Sequence, residues 1–298
     1  MKKGLILSAL LVLWVATTFD PVLTAQQVPS PTYIPSIKFA SGREIVPYLE
    51  GWLRNQDGSF DFVFGYLNRN QQQELVIPPG PENMVSPGPA DQGQPTYFMT
   101  RRQFRIFRVR VPKDFGDKSL TWSITANGLT QKVVAKLIPA YEKDEKFITM
   151  NNNTTVIFGE VDPNKPPTLK VPATIEAMAN KPVALTAMVT DDGLPKPRVV
   201  NFDDPDRPTE QAPGEPDPLA RFKSQKNTSN SNRLVGPRVT WQIYRGTGRV
   251  KLDQMVVPVA DGKATTNATF SAPGAYTLIA TAGDGRLNVF DRITVNVK

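Results

Sequence analysis

Residues 264–297 read ATTNATFSAPGAYTLIATAGDGRLNVFDRITVNV. Three runs in this stretch, Ala264–Phe270, Ala275–Ala282 and Val289–Val297, are rich in β-branched, aromatic and aliphatic residues, and Pro-Gly and Gly-Asp-Gly sequences separate them. Such runs between turn-forming residues are typical of antiparallel strands. The stretch therefore predicts a β-sheet at the end of the chain.

The same pattern extends upstream through the second half of the sequence. Pro182–Thr190 (PVALTAMVT) and Arg238–Tyr244 (RVTWQIY) alternate apolar and polar residues, and Arg249–Leu252 adds a short run. Short strands with turn residues between them predict an immunoglobulin-like sandwich. The chain has no cysteine, so this sandwich lacks a disulfide.

The first half predicts a second set of strands. Asp57-Gly58 and Asn127-Gly128 each stand between two such runs, and both dipeptides favour tight hairpins. The predicted strands are Ile45–Arg54, Phe60–Leu67, Glu74–Ile77, Gln103–Val111, Leu120–Ala126 and Gln131–Ile138. The predicted fold class is all-β, with two β-sandwich domains.

The N-terminus has the layout of a secretory signal peptide. Lys2 and Lys3 precede an apolar run over residues 4–19, and Leu23-Thr24-Ala25 fits a cleavage site. The run is shorter than the ~20 residues that a spanning helix needs. We therefore expect residues 1–25 to be removed and the mature chain to be exported, with no transmembrane segment, to the periplasm, cell surface or exterior.

Composition divides the rest of the chain. Expected segments are an extended leader (26–38), an N-terminal sandwich (39–141), a linker (142–167) and the second sandwich (168–298) with a long insertion (198–237). The insertion has an acidic block (201–220, net charge −5) followed by a basic block (221–238, net charge +5). Together with the proline-rich loop Pro78–Pro95, it is predicted to be a contact region, because long loops often carry function.

Several motifs in the second half resemble a known family. They are Val189-Thr190-Asp191-Asp192-Gly193-Leu194-Pro195, Val239-Thr240-Trp241, Gly246 and Gly248, the run Thr269–Leu278, Ala280–Gly285, and Asp291–Val295. In this order they resemble the PKD-like (polycystic kidney disease type) immunoglobulin-like domains of bacterial surface and secreted proteins. The resemblance covers residues 168–298 and implies an extracytoplasmic, non-catalytic β-sandwich. The insertion at 198–237 departs from that pattern.

Composition also limits the function. The chain has no histidine and no cysteine, which excludes Ser-His-Asp triads, thiol nucleophiles and thiolate metal sites. Phosphate-binding and hydrolase motifs are absent as well. We expect no enzyme, no organic cofactor and no nucleic-acid partner. Removal of residues 1–25 changes the formal net charge from +7 to +6, which favours an anionic partner.

The expected function is therefore a non-catalytic interaction module of the bacterial envelope or secretome. Its partner is a surface protein or an anionic polysaccharide. The alternative is a carbohydrate-binding accessory of a secreted glycoside-hydrolase system.

Three groups of residues are candidates for the site. Asp191, Asp192 and Asp284 are predicted to meet at one end of the second sandwich, either as turn formers or as a calcium site. Arg101, Arg102, Arg105, Arg108 and Arg110 form a basic strand, suited to an anionic partner or to edge protection. Phe60, Phe62, Phe64 and Tyr66 share one strand face, which is more typical of a core than of a sugar platform.

Overall fold

The computed structural model describes residues 39–144, 149, 163–194 and 236–298. The predicted signal peptide and leader, most of the linker and nearly all of the insertion lie outside these residues, and the domain boundaries stay predictions. Within the described part of the chain, no helix has the length and apolar character needed to cross a membrane.

The fold is all-β, as predicted. A 3₁₀ turn lies at Pro139–Tyr141. The strands are β1 (Ile45–Arg54), β2 (Phe60–Asn68), β3 (Leu75–Val76), β4 (Asn83–Ser86), β5 (Tyr97–Phe98), β6 (Arg101–Val111), β7 (Leu120–Ala126), β8 (Leu129–Ala135), β9 (Glu142–Lys143), β10 (Thr168–Lys170), β11 (Thr174–Ala177), β12 (Pro182–Thr190), β13 (Arg238–Arg245), β14 (Val250–Leu252), β15 (Val256–Pro258), β16 (Lys263–Phe270), β17 (Gly274–Gly283) and β18 (Asn288–Val297).

The first sandwich pairs a sheet of order β6-β2-β1-β9 with a sheet of order β4-β7-β8. Aromatic rings fill the space between them. The ring centroids of Phe64 and Phe107 lie 5.8 and 4.8 Å from that of Trp122, both in edge-to-face geometry, the arrangement that ring quadrupoles favour. The buried Trp122 Nε1 donates to Asn83 Oδ1 at 3.0 Å, so the indole is satisfied in the core.

The second sandwich has an immunoglobulin-like topology. One sheet has the order β10-β12-β16-β14 and the other β11-β18-β17-β13-β15, with β11 parallel to β18. These orders correspond to the A-B-E-D and G-F-C sheets of immunoglobulin domains. Trp241 is fully buried on the strand that corresponds to C. The Tyr276 hydroxyl on the F strand donates to Ala272 O at 2.8 Å, which forms a tyrosine corner.

Turn residues predicted some strands correctly, whereas a strand without such signals was missed. Asn127 and Gly128 have φ of 51° and 76°, as a tight hairpin with two left-handed residues requires. The prediction of Pro78–Pro95 as a long loop was wrong in part, because it contains β4. Buried amides order this segment. Asn83 Nδ2 donates to Ile77 O and Pro95 O, and Gln94 Nε2 donates to Asn83 O.

The two sandwiches exchange core residues. Tyr244 and Ile279 of the second sandwich pack in the core of the first, and Tyr97 and Met99 pack in the core of the second. Backbone bonds reinforce this exchange, since the Thr96 amide donates to Tyr244 O at 3.1 Å. Buried apolar area of this kind opposes separation of the sandwiches.

Arg245 provides the polar part of the same contact. Its Nη1 and Nη2 lie 2.9 and 2.6 Å from the two carboxylate oxygens of Asp91. Its Nε and Nη2 also donate to Gln94 O, and Tyr244 Oη donates to Gly93 O. A two-pronged guanidinium–carboxylate pair fixes orientation as well as distance. We name residues 91–99 with strand β13 the docking contact.

The docking contact predicts a pH-dependent effect of Asp91→Asn. Hydrogen bonds from Arg245 lower the pKa of Asp91 below its ordinary value of 3.8. A lowered carboxyl pKa stabilises the fold above that value and loses its effect as the pH falls through the folded-state pKa. Because Asp91 is half exposed, we expect a loss of only about 0.5–1 kcal/mol at pH 7, and this loss fades in acid.

Urea denaturation at pH 7 and pH 3 measures this difference. Asp117→Asn, on an exposed turn, is the matched control and should leave the unfolding free energy unchanged at both pH values. An equal loss for Asp91→Asn at both pH values would contradict the ionic contribution.

An arginine-lined cleft between the two sandwiches

A cleft of about 490 Å³ lies between strand β6 and the outer face of strands β13, β17 and β18. We name it the arginine cleft. Among the described residues that line it, none is acidic. The lining residues are Arg102, Phe104, Arg105, Ile106, Phe107, Arg108, Arg238, Thr240, Gln242, Ile279, Thr281, Gly283, Asn288, Phe290 and Arg292.

Two irregularities in neighbouring strands shape the β6 wall. The β2–β6 register shifts between Phe64 and Tyr66, and the β1–β2 register shifts between Leu49 and Gly51. Both shifts flank Gly65. A Cβ on Gly65 would lie 2.5 Å from Gln103 O, so only glycine fits beneath the bulged β6. Bulges of this kind redirect side chains.

The two bulges bring Glu50 beside Arg102. Arg102 Nη2 lies 2.5 Å from Glu50 Oε1. The Arg102 guanidinium also lies 3.8 Å from the Tyr48 ring centroid and 4.8 Å from that of Phe104. A planar guanidinium held by a carboxylate and two rings is fixed in orientation. The wall of the cleft therefore presents a pre-oriented cation.

Glu50 lies behind the arginines rather than in the cleft lining. Its side chain is only 12 % exposed. Burial raises the pKa of Glu50, and this effect outweighs the lowering by Arg102 and Arg105. Burial likewise lowers the pKa of the Arg105 guanidinium, against the opposite effect of Glu50. Arg102 and Arg105 therefore lie beside the Glu50 carboxylate, whose charged form is destabilised by burial.

Backbone strain concentrates at the same strand. Arg101 and Arg105 have φ of 69° and 50°, in the left-handed region that side chains with a Cβ rarely adopt. Each such residue costs about 1–2 kcal/mol relative to a right-handed conformation. Strained residues cluster at functional sites more often than elsewhere, which directs attention to this wall.

The opposite wall comes from the immunoglobulin-like sandwich. Thr240, Gln242, Thr281 and Asn288 contribute hydroxyl and amide groups. Gln242 Nε2 donates to Gln103 Oε1 at 2.8 Å and so links this wall to β6. The remaining polar groups offer both donors and acceptors to a bound molecule.

Two more arginines and two aromatic rings complete the cleft. Arg238 begins β13, and Arg292 on β18 lies 4.7 Å from the Tyr244 ring centroid. Phe104 and Phe290 are 43 % and 49 % exposed. Large exposed apolar side chains next to cations are typical of binding surfaces rather than of cores.

The structure divides the predicted basic strand into two groups. Arg102, Arg105 and Arg108 line the cleft, and Arg108 Nη1 also lies 3.8 Å from Asp61 Oδ2. Arg101 is exposed at the start of β6, outside the lining, and Arg110 pairs with Asp61, with 2.9 Å between Nε and Oδ1.

Arg238 and Arg292 were not predicted as site residues. Each lies on an alternating strand, but alternation identifies a face without telling which neighbour covers it. The aromatic row Phe60, Phe62, Phe64 and Tyr66 is buried in the core of the first sandwich.

Asp191 and Asp284 lie near each other, but their carboxylate oxygens mainly accept hydrogen bonds from backbone amides of the turns. Asp284 Oδ1 accepts from the amides of Arg286 and Leu287, and its Oδ2 accepts from Asn164 Nδ2. Asp191 Oδ2 accepts from the Gly193 amide. These are the local bonds by which aspartate forms turns.

Asp192 Oδ1 accepts a hydrogen bond from the Leu194 amide, and its Oδ2 accepts one from the Lys165 amide. Among the described residues, no group of three acidic side chains is arranged to hold a metal ion. Calcium binding at Asp191, Asp192 and Asp284 stays a prediction.

No family profile matches the chain, and no curated protein matches it. Domains 4 and 5 of the S-layer protein SbsC are similar to it at 10% identity and a TM-score of 0.24, over 61% of this chain and 65% of that fragment.

Two further solved structures are similar at the same level. A conjugative transposon lipoprotein from Bacteroides eggerthii has 11% identity and a TM-score of 0.23, over 43% of this chain and 96% of its own. The D00-D0 domain of intimin has 12% identity and a TM-score of 0.23, over 85% of this chain and 99% of its own.

The acidic turn predicts opposite effects for two neighbouring substitutions. Burial raises the pKa of Asp191, and the Asp284 charge raises it further, whereas hydrogen bonds from the Leu194 and Lys165 amides lower the pKa of Asp192. A raised carboxyl pKa means that the ionised form destabilises the fold at neutral pH, and a lowered pKa means the reverse. Asp191→Asn should therefore raise the Tm at pH 7, and Asp192→Asn should lower it.

Scanning calorimetry with and without calcium chloride tests both points. Each shift should shrink at a pH below the ordinary carboxyl pKa. A lower Tm for Asp191→Asn at pH 7 without calcium would contradict the electrostatic account. A calcium-dependent rise in the wild-type Tm that Asp191→Asn abolishes would support the calcium site, and an unchanged Tm would count against it.

Proposed function

We propose that this chain is an exported, non-catalytic interaction module of the bacterial envelope, and that the arginine cleft holds an anionic partner. The observation that carries the proposal is the convergence of five arginines from both sandwiches on one cleft whose described lining has no carboxylate. Glu50 beside Arg102 and Asp61 beside Arg108 lie outside the lining and offset part of this charge, and the cleft keeps an excess of cations that favours an anionic partner.

The chemistry of arginine supports this choice of partner. Its planar fork matches carboxylate and phosphate groups, and it keeps its charge at any physiological pH. Glu50 offsets part of the charge near Arg102 and Arg105, which lets the cleft form without a ligand. Arg238 and Arg292 approach from the opposite wall.

A binding role is favoured over catalysis at this site. Proton transfer needs a group that titrates near neutral pH within reach of the ligand, and the described lining offers arginine, hydroxyl, amide and apolar groups instead. The sequence has no histidine or cysteine to add elsewhere. Export rests on the signal-peptide layout of residues 1–25.

The second sandwich is proposed to be PKD-like. Gly246 and Gly248 of the quoted motif lie against the Tyr276 side chain, where an added Cβ would overlap the ring or its hydroxyl. The motif residues therefore serve the tyrosine corner. This placement explains why glycine stands at both positions.

Capture from a native envelope extract tests the proposed function. The mature chain (26–298) is compared with Arg238→Gln/Arg292→Gln, which removes two charges from the cleft wall. We expect the wild type to retain an anionic component that the variant loses, and retention should weaken as salt is raised.

The matched control is Arg249→Gln/Lys251→Gln, which removes the same charge at exposed positions outside the cleft. A deletion of residues 199–236 measures the part played by the insertion. Equal capture by the wild type and the cleft variant would contradict a role for the arginine cleft.

A further inference from the structure

The walls of the arginine cleft carry three kinds of group: guanidinium forks, neutral hydroxyl and amide groups, and exposed phenyl rings. A ligand that satisfies all three has anionic groups, many hydroxyls and apolar faces on one scaffold. We propose that the ligand of the arginine cleft is an acidic polysaccharide, whose anionic groups pair with the arginines while Phe104 and Phe290 contact the sugar faces. This inference rests on the proposed function and names its ligand class.

The shape of the site favours a polysaccharide over a protein surface. Specific protein–protein interfaces bury about 800 Å² on each partner over a broad patch. A concave cleft of about 490 Å³ instead falls within the range of about 300–1,000 Å³ typical of sites for small groups. Sugar units of a linear chain fit such a cleft one after another.

The neutral lining favours sugar hydroxyls. Thr240 and Thr281 both donate and accept, and Gln242 and Asn288 carry amide groups with both functions. This wall therefore places neutral hydrogen-bonding groups beside apolar ones. Hydroxyl-rich ligands leave fewer of these groups without a partner.

The arrangement along β6 favours a repeating charge. Arg102, Arg105 and Arg108 follow one another along a single strand and line the same cleft. Strict alternation would turn Arg105 away from the other two, but the bulge opposite Gly65 interrupts it. Three cations on one strand suit a polymer that carries repeated acidic groups.

The rings distinguish sugar from a simple polyanion. Phe104 and Phe290 lie on opposite walls, one from each sandwich, and both are nearly half exposed. A purely electrostatic site needs neither ring. Phe104 also contacts the Arg102 guanidinium, so its position sets the direction in which that cation points.

Isothermal titration calorimetry on the mature chain (26–298) tests the inference. The probes are polygalacturonate, dextran sulfate, neutral dextran and poly-L-glutamate, with the two carboxylate polymers matched in charge number. We expect an anionic sugar polymer to bind at least about tenfold more tightly than poly-L-glutamate, and dextran to show no binding. The tighter of the two anionic sugars identifies the acidic group.

Variants separate the contribution of the rings from that of charge. Phe290→Ala should weaken sugar binding about tenfold, as the loss of a well-placed aromatic contact does, and leave poly-L-glutamate binding unchanged. Tyr141→Ala, at a ring of similar exposure outside the cleft, is the control and should change neither.

The outcomes separate this inference from the proposed function. Poly-L-glutamate binding as tight as sugar binding, or sugar binding unaffected by Phe290→Ala, would overturn the polysaccharide assignment while leaving an anion-binding module. No binding of any anionic probe, with no cleft-dependent capture from the envelope, would overturn both.

Discussion

The docking contact between residues 91–99 and strand β13 is the constraint on which the functional face depends. It buries Tyr97 and Met99 in one core and Tyr244 in the other, where Ile279 of β17 also packs. Because each sandwich completes the core of its neighbour, β6 is held against the outer face of β13, β17 and β18. Apolar burial supplies the attraction, and the bidentate Arg245–Asp91 pair fixes the orientation. Without this contact the two walls of the arginine cleft would not share one ligand.

The cleft illustrates how local irregularity creates a site within a regular fold. A β6 strand in strict alternation would present its arginines to two different faces. The bulges beside Gly65 bring Glu50, Arg102 and Arg105 together, and the left-handed backbone at Arg105 accompanies this change. The fold stores backbone strain here, and the docking contact and the aromatic cores offset it. A bound anion would add counter-charge for the arginines of both walls.

Much of the fold could be predicted from the sequence, because its signals are local. Alternation and turn residues place β1, β7 and β12 at the observed bounds, and Asn127-Gly128 forms the predicted hairpin. The short strand β4 was missed, since buried amide bonds of Asn83 and Gln94 order that segment rather than any hydrophobic period.

The site was predictable only in part. Arginines on β6 form a visible pattern, but Arg238 and Arg292 join them through tertiary contacts between segments far apart in sequence. The bulge that includes Arg105 also has no signal in residue order. The even spacing of the Phe60–Tyr66 row places its side chains on one strand face, and their aromatic character favours a core. Both features can be read from the sequence.

Hydrogen–deuterium exchange of the mature chain with and without polygalacturonate tests the central claim most directly, because it locates the bound polymer. The account predicts slower exchange in peptides of β6, β13, β17 and β18 that line the arginine cleft, and no change at the distant edge strand β8. Protection confined to β8 or to other surfaces outside the cleft, with the cleft peptides unchanged, would contradict it.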